Sequence, residues 1–423
     1  MTTTKNNEHK KLNFSNEREQ SQACLNSAEH EKNQGRKVLN VPNLRFPEFQ
    51  GEWEETKIGD IAIVVGGGTP DTNTSQYWNG KIQWFTPSEI GRNKYVYNSV
   101  RTISEDGLNK SSAKLLPIGT ILLSSRATVG ECSINKKECT TNQGFQSLIP
   151  KENISNEFVY YLIQTKRKDL IRKSCGSTFL EISANEVRKI VVSIPTIKEQ
   201  DKIAKLLSLL DERIATQNKI IEDLKKLKAA IIEIEYTPNT KTTSPIGDVI
   251  EQISKRNKNN AIKNVLSVSN RQGFIKQSDQ FENRNIASED TSNYKIVEQN
   301  DFAFNPARIN VGSIARLTTF EKGIVSPMYI CFRTQGNVVP EYIDYYFESK
   351  HFYCEIQKRL EGSVRQCLSF EGLCNIPLSL PSFEMQQLIG KRLFTLGQKI
   401  RMETDLLELL NKQKQYLLRQ MFI

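Results

Sequence analysis

The chain contains an internal repeat that most constrains its fold. Residues 176–231 match residues 362–417 at a constant offset of 186 positions. A Gly-Ser pair, a Ser-x-Pro triplet and a single glutamine recur at this offset, and an apolar series then recurs position by position. A chain made of two copies of one unit is expected to fold with pseudo-two-fold symmetry. A symmetric body of this kind suits a symmetric or bipartite partner.

Composition favours a polyanionic partner. The chain has 423 residues, which is long enough for two or three domains with their own cores. Its formal net charge is +10, with 25% charged residues. A basic balance favours nucleic acid or an anionic membrane face. The alternative is a basic protein with no polyanion to bind.

Two further features limit the location and the metal chemistry expected. No stretch approaches the roughly 20 apolar residues of a transmembrane helix, and the N-terminal residues do not resemble a signal peptide. We therefore expect a cytoplasmic protein. Eight cysteines are spread without a Cys-x-x-Cys pair, and the histidines are His9, His30 and His351. Reduced thiols are expected, and a zinc site is not.

The pattern along the chain predicts five segments. Residues 1–40 are polar and of mixed charge, and we interpret them as a disordered tail or a loosely attached helix. Residues 41–195 and 237–381 are predicted to be mixed α/β (α+β) globules, separated by a spacer helix over 196–236 and followed by a C-terminal helix over 382–423. Within the first globule we expect strands over 61–65 and 119–123 and a helix over 155–173.

Both long helices show a coiled-coil pattern. Apolar residues recur 4-3-4-3 apart over about 198–235, and again over about 383–421. Two positions of each series are polar, and a buried polar residue costs stability while it specifies register. We expect the helices to pair antiparallel, as a rod with one globule at each end; a solvated seam with accidental polarity is the alternative. The predicted seam is Ile203, Leu207, Leu210, Ile214, Gln217, Ile221, Leu224, Lys228, Ile231, Ile389, Leu393, Leu396, Ile400, Glu403, Leu407, Leu410, Lys414 and Leu417.

The two globules share a frame while their residues differ. Ile246-Gly247-Asp248 matches Ile58-Gly59-Asp60, and an arginine stands four residues before a glycine in both, as Arg126 and as Arg308. Two globules that share a sequence pattern but differ in their other residues are typical of a protein with two recognition specificities.

Motifs for catalysis are missing from the sequence. There is no Walker A pattern. Residues 66–70 are glycine-rich but lack the G-x-G-x-x-G spacing, and a tight turn with close backbone approach explains them better. Residues 305–308 (Asn-Pro-Ala-Arg) resemble the loop of adenine methyltransferases only faintly, without its second proline and aromatic. We expect no active site in this chain.

Several motifs follow one another in a definite order from about residue 41 to residue 423. They are Leu44-Arg45-Phe46-Pro47-Glu48-Phe49 with Gly51-Glu52-Trp53, Gly67-Gly68-Thr69-Pro70, Leu116-Pro117-Ile118-Gly119-Thr120-Ile121-Leu122, Arg126 with Val129-Gly130, Ile194-Pro195 with Glu199-Gln200, and Leu380-Pro381 with Gln386. No single motif is decisive, but their order and the duplication are. In this order the chain closely resembles the specificity subunits of type I restriction-modification systems.

The resemblance implies a DNA reader that is not itself catalytic. Each globule would be a target recognition domain for one half of a bipartite site in double-stranded DNA. The helices would set the spacing and dock two adenine methyltransferase subunits, and two motor-nuclease subunits would join them. S-adenosylmethionine, ATP and Mg²⁺ would belong to those partners, and no cofactor to this chain.

Side chains that could contact DNA lie on turn-rich segments of both globules. Arginine and lysine suit guanine and phosphate, and asparagine suits adenine. The strongest candidates are Arg126 and Arg308, for which a salt bridge repeated by duplication is the alternative. The full set is Gly68, Thr69, Lys110, Lys114, Arg126, Ser177 and Thr178 in the first globule and Asn270, Arg271, Asn305, Arg308, Ser363 and Arg365 in the second.

Two other classes of function remain alternatives. A stand-alone nuclease or methylase would turn over substrate as the purified chain. A coiled-coil adaptor without a DNA role would show no steep fall in DNA affinity with salt.

Overall fold

The computed structural model of the chain describes residues 39–175, 180–237, 243–270, 272–280, 290–362 and 366–423. Residues 1–38 of the predicted tail therefore lie outside the described residues. Contacts between residues divide the chain into two units. Unit 1 comprises the described residues up to Asp211 together with Lys412–Ile423, and unit 2 comprises the described residues of Glu212–Asn411. Each unit therefore contains one globule and one end of each long helix.

Unit 1 is built from ten short strands and five short helices. The strands are β1 (Glu54–Lys57), β2 (Ala62–Gly66), β3 (Trp78–Phe85), β4 (Tyr95–Val96), β5 (Arg101–Ile103), β6 (Ile121–Leu123), β7 (Cys132–Asn135), β8 (Cys139–Thr141), β9 (Gln146–Pro150) and β10 (Val191–Ile194). The helices are α1 (Ile58–Ile61), α2 (Glu105–Asn109), α3 (Asn156–Thr165), α4 (Arg167–Arg172) and α5 (Ala184–Arg188), with 3₁₀ turns at Ser75–Tyr77 and Pro87–Glu89.

The first long helix, α6 (Ile197–Glu235), has 39 residues and runs from unit 1 into unit 2. Unit 2 then adds ten strands, four helices and two 3₁₀ turns. The strands are β11 (Thr243–Pro245), β12 (Ile250–Ile253), β13 (Val265–Ser269), β14 (Gly273–Lys276), β15 (Lys295–Glu298), β16 (Phe302–Phe304), β17 (Ile314–Arg316), β18 (Lys322–Val325), β19 (Ile330–Thr334) and β20 (Pro377–Ser379). The helices are α7 (Gln277–Gln280), α8 (Pro340–Tyr346), α9 (Lys350–Gln357) and α10 (Phe370–Cys374), with 3₁₀ turns at Ile246–Asp248 and Ile309–Val311. The second long helix, α11 (Phe383–Gln420), has 38 residues and ends in unit 1.

The sheets of the two units share one layout. In unit 1 the order β2-β9-β6-β7 is antiparallel throughout, with β4 added parallel to β7. In unit 2 the order β12-β19-β16-β17 is also antiparallel throughout. A second sheet in each unit contains one parallel pair, β3 with β8 and β13 with β18. The duplication predicted from the sequence therefore includes the sheet topology.

The start and the end of each globule are joined by a two-stranded ladder. Strand β1 pairs antiparallel with β10, and β11 pairs antiparallel with β20. The repeated Ile-Gly-Asp turn follows each first strand. A Cβ atom on Gly59 would lie 3.0 Å from the Cβ of Arg188, and one on Gly247 would lie 2.8 Å from the Cβ of Cys374. Glycine recurs because a short helix, α5 or α10, packs directly against this turn.

The ends of the long helices pair antiparallel within each unit. In unit 2, the Gln217 amide donates to the Glu403 carbonyl oxygen over 3.0 Å, and Ile232 shares a core with Ile389 and Leu393. Residue numbers thus rise along α6 as they fall along α11. In unit 1, Lys414 forms a 2.7 Å salt bridge with Asp211. Every position of the predicted seam is buried or half-buried.

The polar seam positions join helix to globule as well as helix to helix. Lys414 also lies 5.8 Å from the ring centroid of Tyr161, whose hydroxyl donates to Asp211 over 2.7 Å. In unit 2, Lys228 forms a 2.7 Å salt bridge with Glu348 and lies 5.0 Å from the ring centroid of Tyr345. Each lysine therefore exchanges water for an anion and an aromatic face.

Three predictions of local structure need correction. The helix expected over 155–173 is divided at Lys166, whose backbone (φ −89°, ψ 7°) leaves the α region while its amide bonds to both Leu162 and Ile163. The strand expected over 61–65 is Ala62–Gly66, because Ile61 closes α1. The strand expected over 119–123 begins at Ile121, since Gly119 has φ +88° and forms a turn.

One buried glutamine in each unit connects a long helix to its globule. The Gln200 amide donates to the Pro195 carbonyl over 2.9 Å and accepts from the amide of Ser155, the residue before α3, over 3.0 Å. The Gln386 amide donates to the Pro381 carbonyl and accepts from the amide of Val339, the residue before α8, both over 3.0 Å. The two side chains are 1% and 2% exposed. Each satisfies backbone groups that would otherwise be buried without partners.

Membrane-spanning geometry is not found in the described ranges, where no helix combines sufficient length with sufficient apolar character to cross a bilayer.

We expect Gln200→Leu and Gln386→Leu each to lower the free energy of unfolding by about 1–3 kcal/mol, because each leaves a buried amide and a buried carbonyl without partners. Chemical denaturation followed by circular dichroism measures this. Gln413→Ala, at an exposed position of α11, is the matched control and should change little. Equal losses in all three variants would contradict the role given to the buried pair.

Candidate nucleic-acid interface

In unit 1, three loops leave the same end of the main sheet. Strands β2 and β6 both run antiparallel to β9, which lies between them, with Gly66 opposite Gln146 and Ser124 opposite Phe145. The loop after β2, the loop after β6 and the loop before β9 therefore converge. We call this surface, formed by residues 67–70, 124–131 and 142–145, the loop end of unit 1.

Gly68 anchors this surface by close backbone packing. Its amide donates to the Thr141 carbonyl over 2.8 Å, and its carbonyl accepts from the Trp84 indole over 2.9 Å. A Cβ atom at Gly68 would lie 2.3 Å from the Ser112 hydroxyl oxygen, so only glycine fits. The buried Gly68 is thus a packing residue that holds segment 110–114 against the loop end.

Lys110 and Lys114 stand on either side of that contact in the sequence. Both are exposed, and neither has a salt-bridge partner within the part of the chain that the structure describes. Their ammonium groups are therefore available to an anion.

Thr69 has a partner that sequence reasoning missed. Its hydroxyl donates to the side-chain oxygen of the exposed Gln143 over 2.6 Å. Gln143 lies in the loop before β9, where Asn142 accepts from the Gly144 amide over 2.9 Å. An amide side chain can bind the edge of adenine. The signal in the sequence was the Asn142-Gln143 pair, which lies in the loop between β8 and β9.

Arg126 lies on the loop after β6, and its guanidinium is engaged. It forms a 2.8 Å salt bridge with Glu181, and the two side chains are 46% and 43% exposed. An exposed pair of this kind is worth about 0–1 kcal/mol, so DNA phosphate or a base edge can displace the carboxylate. The loop closes through Ala127 and Gly130, at φ 55° and 87°.

Unit 2 presents an equivalent surface. Strands β12 and β16 both run antiparallel to β19, with Ile253 opposite Cys331 and Phe304 opposite Ile330. Their following loops, 254–262 and 305–313, leave the same end of this sheet, which we call the loop end of unit 2.

Arg308 occupies the place in unit 2 that Arg126 has in unit 1, four residues before a glycine (Gly312) with φ 89°. The side chain is exposed and has no salt bridge within the described residues. In unit 1 an isolated β-bridge pairs the backbones of Cys175 and Glu181, and in unit 2 the equivalent β-bridge pairs Glu361 with Cys367. A cysteine, Cys367, therefore stands where unit 1 has the glutamate that binds Arg126. Among the described residues, the salt bridge of Arg126 is therefore not repeated at Arg308.

The remaining candidates are placed as follows. Asn305 follows β16, and its side-chain oxygen accepts from the Ala307 amide over 3.1 Å. Asn270 is exposed and directly follows β13. The end of β13 contacts loop 305–313, because the Ser313 hydroxyl donates to the Val268 carbonyl over 3.5 Å. Ser177, Thr178, Arg271, Ser363 and Arg365 lie outside the described residues. Sequence reasoning also missed the cations of loop 254–262.

Comparison with known proteins decides the family. The model of the type I restriction modification DNA specificity domain matches residues 50–226 and again residues 238–412, one match for each half of the repeat. The chain belongs to the type I restriction-modification DNA specificity family. The recognition made from the motifs is thereby confirmed.

Curated specificity subunits resemble this chain over one half or over nearly all of it. The MjaIX specificity subunit of Methanocaldococcus jannaschii is 39% identical over 44% of this chain and 45% of its own length. The EcoR124I/EcoR124II specificity subunit of Escherichia coli is 31% identical over 40% of this chain and 43% of its own length. The match to this chain thus spans less than half of these two relatives. The putative MjaX specificity subunit of M. jannaschii is 24% identical over 90% of this chain and 93% of its own length.

A solved specificity subunit has the same fold. The crystal structure of the type I restriction-modification S subunit from M. genitalium aligns with 90% of this chain and 99% of that chain, with a TM-score of 0.56 and 16% identity. The predicted fold class of two α/β globules and long helices is confirmed.

Of the seven cysteines in the described part of the chain, three have buried thiols. Burial raises the pKa of Cys132, Cys139 and Cys331 to about 12, so these thiols stay protonated at neutral pH. Among the described residues, no three His, Cys, Asp or Glu side chains are grouped as metal ligands would be.

We expect Arg308→Ala to weaken binding to the chain's own DNA site by about 1–3 kcal/mol, because a guanidinium bound to a base edge contributes about that much. Fluorescence anisotropy with a labelled duplex measures the change. Arg392→Ala, an exposed arginine on α11, is the control. Unchanged affinity together with an unchanged base preference would remove Arg308 from the interface.

Proposed function

We propose that this chain is the DNA-reading subunit of a type I restriction-modification complex and that each unit reads one half of a bipartite site. The observation that supports this most directly is the pair of loop ends. Unit 1 brings three loops, and unit 2 brings two loops, to one end of the sheet that both units share. Each unit also places an arginine there, four residues before a glycine. Donors on convergent loops are what base-edge recognition in the major groove requires.

The two half-sites differ because the loops differ on a common frame. Unit 1 presents Thr69, Gln143 and a salt-bridged Arg126, whereas unit 2 presents Asn305 and Arg308 without a salt bridge among the described residues. Amide and guanidinium groups favour adenine and guanine respectively. The proposed site is therefore asymmetric.

The long helices set the distance between half-sites in this proposal. A helix of 39 residues spans about 58 Å at 1.5 Å per residue. Their outward surfaces would dock two adenine methyltransferase subunits, to which two motor-nuclease subunits are added for cleavage. S-adenosylmethionine, ATP and Mg²⁺ serve those partners.

Mapping N6-methyladenine in the source genome tests this proposal. We expect deletion of the gene to abolish methylation at one bipartite motif, two short half-sites around a fixed gap, and a plasmid copy to restore it. An unchanged methylome with an expressed wild-type locus would contradict the proposal.

The same assay separates the two units. We expect a plasmid copy with Arg126→Ala to relax the base preference in one half of the motif and a copy with Arg308→Ala to relax it in the other half, because each arginine belongs to one unit. Lys151→Ala, an exposed lysine that follows β9 at the opposite end of the sheet from the loop end of unit 1, is the control. Relaxation of the same half by both variants would contradict the assignment of one half-site to each unit.

A further inference from the structure

The loop after β12 in unit 2 concentrates positive charge. Lys255, Arg256 and Lys258 are all exposed on loop 254–262. The loop, with Ile296 and Lys322, lines a cavity of about 910 Å³ whose lining contains four cations and no carboxylate. Within the described residues, neither Lys255 nor Lys258 has a salt bridge. The arrangement has the charge and the space for an anion much larger than a single ion.

The loop is held in shape by buried amides. Asn257 is 3% exposed; its side chain donates to the Ile262 carbonyl over 3.0 Å and accepts from the Ile262 amide over 3.1 Å. Asn260 accepts from the Thr291 amide over 3.1 Å and from the Thr291 hydroxyl over 2.9 Å. The backbone that presents the lysines is therefore organised before any ligand arrives, which reduces the entropy lost on binding.

The carboxylates of Glu298 and Asp290, which lie near the loop, are already engaged. Glu298 forms a 2.9 Å salt bridge with Lys322, and Asp290 accepts from the Asn260 amide over 3.3 Å and from the Ser292 backbone over 2.8 Å. The Arg256 guanidinium donates to the Asn293 side chain over 3.1 Å, which orients it without neutralising it. The described residues that line the cavity therefore carry a net positive charge.

The position of this loop decides which anion fits. Loop 254–262 leaves the same end of the sheet as the loop that carries Arg308, because Ile253 and Phe304 face neighbouring residues of β19. A duplex whose bases meet Arg308 would bring its phosphates past the adjacent loop. In unit 1 the loop after β2 is Gly67-Gly68-Thr69-Pro70, which has no cation; there Lys110 and Lys114 flank the same corner.

We propose that loop 254–262 is a phosphate-binding loop that grips the DNA backbone beside the half-site read by unit 2. This inference rests on the proposed function. Ammonium groups on flexible stems bind phosphate oxygens without reading base identity, so the loop supplies affinity and position rather than specificity.

The salt dependence of DNA binding tests the loop. The full-length chain, with and without the double change Lys255→Ala and Lys258→Ala, is titrated with a duplex carrying its motif and with a scrambled duplex over a range of KCl concentrations. Each lost phosphate contact should reduce the slope of log K against log[KCl] by about 0.9, so we expect a reduction of about 1.8 on both duplexes. Lys350→Ala, an exposed lysine at the start of α9, is the control and should leave the slope unchanged.

The outcomes are distinguishable. An unchanged slope overturns the proposal, and so does a changed preference between the two duplexes, because the loop would then read bases. A wild-type chain that does not prefer its motif would defeat the proposed function instead. Inorganic triphosphate, titrated at constant ionic strength, is the last arm: binding lost in the double variant, with the DNA slope unchanged, would assign the loop to a free phosphate compound. Thermal unfolding of the variants checks that the exposed changes leave the fold intact.

Discussion

A glutamine side chain buried among backbone groups is the contact on which each half of the structure depends. Gln200 and Gln386 each join three elements: the turn after the last strand of the globule, the start of a long helix, and the start of α3 or α8. Because an amide has both a donor and an acceptor, one side chain satisfies a carbonyl and an amide that burial would otherwise leave unpaired. No apolar residue could replace it, and this explains why glutamine recurs while its neighbours change.

With the frame held in this way, the loops are free to differ. The sheets, the two-stranded ladder and the short helices recur in both units, but the corner after the second strand is Gly-Gly-Thr-Pro in one unit and a lysine-rich loop in the other. Glu181 pairs with Arg126, whereas Cys367 stands at the matching place near Arg308. Stability and recognition are thereby carried by different residues, so a change in one need not cost the other.

Much of the frame could be predicted from the sequence, because the features that specify it are periodic or repeated. The 4-3 spacing predicted both long helices to within a few residues at each end, and the repeated glutamine and Ile-Gly-Asp turn indicated two equal units. The division of the helix at Lys166 could not be predicted, since the 3.6-residue period continues across it. The convergence of Gly68, Gln143 and Lys114 was equally hidden, because strand pairing, not sequence distance, brings their loops together. Loop 254–262 was missed since its lysines, taken alone, look like any solvated surface.

The way in which the long helices are shared between units also determines when each unit can fold during synthesis. The core of unit 1 includes Leu418, Met421 and Phe422, where Phe422 stacks on Phe158 with ring centroids 5.2 Å apart. Unit 2 draws its core from residues 232–393. The half that the ribosome begins first must therefore wait for residues 418–422, which are synthesised after unit 2, while the half that begins later has its apolar partners sooner. N-terminal domains usually fold first during synthesis, but here unit 2 can complete its core before unit 1. Until then unit 1 exposes apolar surface to which chaperones can bind.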